Sequence, residues 1–179
     1  MKKIYNKNYK NVGILGGTFD PPHLGHLHIS KIALKKLHLN NLFWIVTKQN
    51  PLKSRPILET NIRIKLSKNI TQNQKKISVH YLDKKVKSKN TLDLLIYLKK
   101  KNKKTKFFFI MGADNFYKLH SWKNWKKIPK YAKIIVFPRQ NYSDKALSSV
   151  ASKKLNKKDW MYINSKKVNI SSSLIRKFW

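Results

Sequence analysis

Short apolar runs alternate along the chain with stretches whose apolar residues recur at helical spacing. After a polar, lysine-rich start, Val12–Leu15 predicts a buried strand. Leu24–Leu37 reads as a helix, because Leu27, Ile29, Ile32, Ala33, Leu34 and Leu37 form a stripe near the helical period. Leu42–Thr47 (LFWIVT) predicts a second strand and Ile77–Tyr81 a third. Between them Asn61–Ile70 predicts a helix with Ile62, Leu66 and Ile70 on one side. Thr91–Lys100 predicts another, with Thr91 as N-cap before Leu92, Leu95, Ile96 and Leu98. Phe107–Met111 (FFFIM) is the most apolar strand, and Lys133–Phe137 is a strand closed by Pro138. Trp122–Ile128 predicts a short helix ended by Pro129, Trp160–Ile163 a last strand, and Ser172–Phe178 a serine-capped terminal helix. Asn141–Lys158, rich in Ser and Lys, predicts a loop with a short helix.

Strands that alternate with helices imply βαβ units and a parallel sheet. A strand such as FFFIM, apolar on both faces, needs cover on both sides. The fold class is therefore α/β, a doubly wound, mostly parallel sheet. A length of 179 residues, with no internal repeat and no linker, predicts a single domain over 1–179. In such a fold ligands bind beyond the carboxyl ends of the strands, where the strand order reverses. Motifs that follow strands are thus the first candidates for chemistry.

Composition narrows the function classes. The absence of Cys removes disulfide and thiolate chemistry and suits a reducing, cytoplasmic setting. No apolar run approaches the length of a membrane span, and the start lacks the apolar core and cleavage site of a signal peptide. The formal charge of +34 invites a nucleic-acid reading. Only four of the 41 basic residues are arginine, however, and the lysines are scattered, which reads as solvated surface charge rather than a specific nucleic-acid patch. A positive surface also steers phosphorylated small molecules. A basic RNA-binding module stays as the non-enzymatic alternative.

The densest motif is GGTFDPPHLGH, residues 16–26. Gly16 and Gly17 end the first strand and lack Cβ atoms, so a ligand can approach the backbone there and unusual dihedrals are open. Pro21 and Pro22 stiffen the turn, and His23 and His26 open the next helix, where N–H groups and the positive dipole end gather. The string reads as an anion pocket with two imidazole donors. A zinc site built on the histidines with Asp20 or His28 matches no recognised spacing.

Further motifs follow other strands or open other helices. ISSSLIRK, residues 170–177, sets three serines before a helix and Arg176 one turn into it, where a guanidinium can fork onto phosphate. In MGADNFYKLHSWKNW, residues 111–125, Gly112 suits a tight turn and Asp114 sits at the expected ligand edge. Trp122 and Trp125 are spaced to share a helix face; their residue type alone favours the core for both. NPLK, residues 50–53, offers Lys53 as a point charge, and Thr91 opens a helix able to receive a carboxylate.

GGTFDPPHLGH resembles the signature of the H-x-G-H nucleotidyltransferases, which move a nucleotidyl group from a nucleoside triphosphate. ISSSLIRK is similar to that family's second signature, and the GAD…W and NPLK segments resemble those of its nicotinate-nucleotide adenylyltransferases. The resemblance runs from Val12 to Arg176. It implies a Rossmann-like nucleotidyltransferase fold. It also implies transfer of the adenylyl group of ATP to nicotinate mononucleotide, giving deamido-NAD and pyrophosphate in NAD biosynthesis. By resemblance His23, His26 and Arg176 are catalytic and contact the triphosphate, with Gly16, Gly17, Thr18, Phe19, Asp114, Ser171, Ser172 and Ser173 completing the ATP site. Lys53, Thr91 and Trp122 would hold the nicotinate nucleotide, Trp122 by stacking on its ring. Mg²⁺ is expected on the ATP phosphates, with no metal site on the protein. Many members carry Tyr where Asn90 stands, which removes an aromatic contact there. Sibling transferases of nicotinamide mononucleotide or phosphopantetheine are the enzymatic alternatives, the latter usually carrying Thr where His23 stands. The sequence leaves homo-oligomerisation open.

Overall fold

A computed structural model describes residues 10–50, 54–86, 90–165 and 170–179. Six strands form one sheet: β1 (Asn11–Gly17), β2 (Asn41–Val46), β3 (Ile77–Tyr81), β4 (Lys106–Gly112), β5 (Lys133–Phe137) and β6 (Trp160–Tyr162). All five pairings are parallel and the order is β3-β2-β1-β4-β5-β6. Each strand lies where the apolar pattern places it, within one or two residues at its ends.

The alternation of the pleat divides the apolar residues between two cores. Val12 and Ile14 of β1, Phe43 and Ile45 of β2, Phe107, Phe109 and Met111 of β4, and Ile134 and Val136 of β5 face one side. That side is covered by α4 (Thr91–Lys101), α5 (Ala113–Tyr117) and the turns beyond them, through Leu92, Leu95, Leu98, Phe116 and Ile128. Leu15, Trp44, Val46, Ile110, Ile135 and Phe137 face the other side, beneath α1 (Leu24–Lys36) and α2 (Thr60–Thr71). Both faces are thus wound, as the apolar strands require.

Several helical expectations need correction. α2 does not bury Ile62, which is 42% exposed; its buried residues are Arg63, Ser67 and Thr71. A polar face turns inward because the Arg63 guanidinium finds carbonyls to bond, while Ile64 and Ile70 pack on the core from the flank. Thr91 does not cap α4: Asn90 does, its side chain accepting from the Leu92 N–H at 3.0 Å. The helix expected over Trp122–Ile128 is instead two 3₁₀ turns, Leu119–Ser121 and Trp125–Lys130, with Trp122 extended between them. Pro129 lies inside the second turn, where three-residue bonding leaves its missing N–H uncontested. Trp122 and Trp125 therefore share no helix face. The Asn141–Lys158 stretch holds two short helices, α6 (Ser143–Leu147) and α7 (Val150–Lys154), and Asp83–Val86 forms the short α3. The terminal helix α8 (Ser172–Arg176) is capped by Ser171, as the serine run suggests.

One buried bond joins α1 to the sheet. The Trp44 indole, fully buried, donates from Nε1 to Ser30 Oγ at 2.9 Å, and Ser30 Oγ donates to the His26 carbonyl at 2.7 Å. Replacing Ser30 with Ala leaves the indole N–H without a partner in an apolar site. We expect Ser30→Ala to lower the unfolding free energy by about 1–3 kcal/mol, measured by urea denaturation; an unchanged midpoint would contradict the burial of that bond.

Candidate active site

The strand order reverses between β1 and β4, so the chain leaves these adjacent strands in opposite directions and opens a crevice beyond Gly17 and Gly112. A cleft of about 390 Å³ lies there, within the usual size of small-molecule sites. Gly16, Gly17, Thr18 and Phe19 line its β1 wall, with His23 and His26 above them. Ser171, Ser172, Ser173 and Arg176 of the terminal segment close one side, and Asp114 and Trp122 stand on the β4 wall. Of the fourteen site residues expected from the sequence, twelve meet in this cleft. Thr91 is not among its lining residues, and Lys53 lies outside the described residues.

The two imidazoles start α1 and cap each other's backbone. His23, in extended conformation, is the N-cap, and its Nδ1 accepts from the Gly25 N–H at 3.1 Å. Three residues on, His26 Nδ1 accepts from the His23 N–H at 3.2 Å. This is a capping box in which both partners are histidines. With each Nδ1 lone pair committed to a backbone N–H, Nε2 is the nitrogen left to carry a proton and act as an N–H donor. The ring centroids lie 3.9 Å apart. Burial, and secondarily the positive charge of Arg139, push the His23 pKa down to about 4.

Packing explains the glycine between the histidines. A Cβ on Gly25 would lie 2.9 Å from the His23 ring and 3.0 Å from Ile170 Cγ2, so any side chain there would displace the imidazole. Backbone dihedrals are not the reason for the glycines: none has positive φ. Gly16 and Gly17 are ordinary extended residues paired with Ile45 and Val46, and a Cβ on either would meet only ring carbons beyond 3.5 Å. Their use is to leave the wall open. Within residues 16–26 the left-handed residue is Phe19, at φ 49°. Its buried ring stacks on Trp44 at 4.9 Å and braces His26 at 4.8 Å, which holds this otherwise disfavoured conformation in place.

Asp20 binds three distant segments together. Its carboxylate accepts from the Ile57 and Leu58 N–H groups, both at 2.9 Å, and lies 3.5 Å from Arg176 Nη1. Arg176 Nη1 also donates to the Asp20 carbonyl, and Nη2 donates to Ser173 Oγ at 3.3 Å. Ser172 Oγ donates to the Pro21 carbonyl at 2.8 Å, and Ser171 Oγ accepts from the Leu174 N–H at 3.0 Å. The three serines therefore have distinct jobs: a cap, a tether to the β1–α1 turn, and an acceptor for the guanidinium.

On the β4 wall, Gly112 is extended rather than tightly turned; a Cβ there would lie 2.5 Å from Asp114 Oδ1. The glycine thus makes room for the carboxylate folded over it. Trp122 meets Phe109 edge-on at 6.2 Å, so one side of its ring is braced by the core while the residue still lines the cleft. Sequence reasoning assigned no role to Arg139 and Arg55, which also line the cleft. Arg139 follows β5 at its carboxyl end, two residues beyond Phe137, and the strand-end rule could have found it. Arg55 carries no such signal. Among the described residues no three His, Cys, Asp or Glu side chains gather as a metal site. No described helix is long and apolar enough to cross a membrane.

A cleft with two N–H-donating imidazoles, three guanidinium groups, and serine hydroxyls suits a polyphosphate whose charge grows at one oxygen during reaction. Known proteins agree in fold and in sequence. The cytidylyltransferase-like family model matches residues 14–178. A probable nicotinate-nucleotide adenylyltransferase of Pelagibacter ubique is 48% identical over 96% of this chain and 95% of its own length. A protein of the same description from Clostridium novyi is 38% identical over 93% of this chain and 86% of its own. The structure is similar to that of Plasmodium falciparum nicotinic acid mononucleotide adenylyltransferase complexed with NaAD, with a TM-score of 0.78 and 26% identity, covering 94% of this chain and 83% of that one.

Two buried histidines give the fold a pH dependence of defined sign. His80 on β3 is also pushed down to about 4 by burial. In the unfolded chain both rings protonate near 6.5, so between pH 6.5 and about 4 the unfolded state binds more protons than the native one. Stability is therefore fully present above about pH 6.5 and declines as pH falls toward about 4. Urea midpoints measured across this window are expected to drop steadily on acidification; a flat profile would show that these rings are not held neutral.

Proposed function

The chain belongs to the cytidylyltransferase-like family, and from that premise we propose that it transfers the adenylyl group of ATP to nicotinate mononucleotide. The products are deamido-NAD and pyrophosphate, a step of NAD biosynthesis. The observation that carries this reading is the meeting of the two capping imidazoles, the serine turn and Arg176 on one wall with Asp114 and Trp122 on the other. The first group fits a triphosphate; the second fits the ribose and a flat ring.

An oxygen of the acceptor phosphate attacks the α-phosphorus of ATP in line. A P–O bond forms there as the bond to the bridging oxygen of the β-phosphate breaks, and pyrophosphate leaves. The attacking phosphate is already anionic, so no general base is needed. Catalysis is positioning and charge stabilisation. His23 and His26 donate from Nε2 toward the oxygens on which charge accumulates, and Arg176, held by Asp20 and Ser173, meets the β- and γ-phosphates. Gly16 and Gly17 let the phosphates approach the strand end, and Thr18 and the serines surround them. Asp114 faces the ATP ribose and Trp122 receives the nicotinate ring. Lys53 belongs to the acceptor side. Burial, with the charge of Arg139 second, keeps the His23 imidazole neutral, and its Nδ1 bond to the Gly25 N–H leaves the proton on Nε2.

Among the described residues no three His, Cys, Asp or Glu side chains gather, and Asp20 is committed to two N–H groups and Arg176. Mg²⁺ would be held by the ATP phosphates and water.

Incubating the protein with ATP, Mg²⁺ and either nicotinate mononucleotide, nicotinamide mononucleotide or phosphopantetheine, and following pyrophosphate and the dinucleotide, tests the reading. We expect deamido-NAD from the first acceptor at the highest kcat/KM. Absence of product from that acceptor would overturn the proposal. His26→Ala should lower kcat by about 10²–10³-fold. The same change should cost stability only the loss of a cap, about 1 kcal/mol. Near-normal pyrophosphate release by folded His26→Ala would remove that residue from the mechanism.

A further inference from the structure

Arg63 lies one layer behind the cleft, on α2, only 1% exposed and absent from the cleft lining. A guanidinium has five N–H donors in a fixed plane, and here every one has an acceptor. Nε donates to the Leu58 carbonyl at 2.9 Å, Nη1 to the carbonyls of Thr18 and of Thr47 (2.7 Å to the latter), and Nη2 to the Lys48 carbonyl at 3.2 Å and Thr60 Oγ1 at 2.8 Å. These acceptors come from three places: the turn after β1, the turn after β2, and the entry to α2.

The connections are closed on themselves. Leu58 gives its carbonyl to Arg63 and its N–H to Asp20, which stands two residues from Thr18 and holds Arg176. Thr18 belongs to the wall assigned to the triphosphate. The segment after β2 carries Asn50 and Arg55, which line the same cleft. One buried cation therefore spans the two loops that flank the cleft at the ends of adjacent strands.

We propose that Arg63 is a positioning residue that keeps the triphosphate loop and the acceptor loop in register, and that it acts on the transfer step rather than on the affinity for either substrate. The inference rests on the reading of the cleft as an adenylyl-transfer site. Each half-site retains its own contacts when Arg63 is changed, so affinities survive. In-line attack requires the reacting atoms about 3–3.5 Å apart, and a displacement of about 1 Å between the halves costs on the order of 10²-fold in rate. Lysine cannot substitute, because a single ammonium cannot reach carbonyls of three segments in one plane.

The test compares wild type with Arg63→Lys and Thr60→Val, measuring folded fraction, thermal midpoint, kcat per folded molecule and both KM values. Arg63→Lys is expected to lower kcat by about 30–100-fold while both KM values stay within about threefold. Thr60→Val, which removes a single acceptor, should keep the fold and lower kcat several-fold in the same sense. A merely structural role would lower the midpoint and folded fraction and leave kcat per folded molecule unchanged. Unchanged kcat, or a loss confined to KM, in Arg63→Lys overturns the proposal; if that variant does not fold, the same outcome in Thr60→Val overturns it. Wild type that makes no deamido-NAD overturns the functional reading itself, a result distinct from active wild type beside a fully active variant.

Discussion

The buried carboxylate of Asp20 is the point on which the cleft depends. It sits in the turn that β1 hands to α1, and it reaches two backbone N–H groups 37 and 38 residues away and a guanidinium 156 residues away. A carboxylate removed from water needs charge-assisted partners, and these supply them. Each partner brings its segment to the cleft: the stretch before α2 on one side and the terminal helix on the other. The chain's last ordered helix, only five residues long, has little core of its own and is held by Arg176, Ser172 and its serine cap.

The start of α1 uses one set of bonds for two purposes. A helix N-terminus needs acceptors for its exposed N–H groups. Using imidazole Nδ1 atoms as those acceptors satisfies the backbone and at the same time fixes which nitrogen keeps the proton. Structure and reactivity are thus the same hydrogen bonds. The glycine between the histidines follows from the His23 ring, which occupies the space a Cβ on Gly25 would need.

The overall charge of +34 contrasts with the economy of charge in the cleft. Among the described residues the cations lining the cleft are arginines, Arg139 and Arg176 among them, whereas lysines gather at helix ends such as Lys99–Lys101. A fixed planar fork suits oriented phosphate recognition, and a flexible ammonium suits a solvated surface. The field of the lysines still favours approach of anionic nucleotides.

The strands, their parallel pairing and the location of the cleft were legible in the sequence because they depend on local apolar runs and on motifs that follow them. FFFIM and LFWIVT are short apolar runs that read as buried strands, and a glycine-rich turn leading into two histidines marks the end of the chain's first strand. Tertiary structure alone decided which face of α2 turns inward, since the worth of burying Arg63 depends on carbonyls contributed by three other segments. It likewise decided that Asn90 rather than Thr91 caps α4, that Trp122 stands extended between two turns, and that Arg139 and Arg55 join the cleft. Periodicity reports what a residue prefers against water; a hydrogen bond to a distant backbone has no trace in the residues nearby.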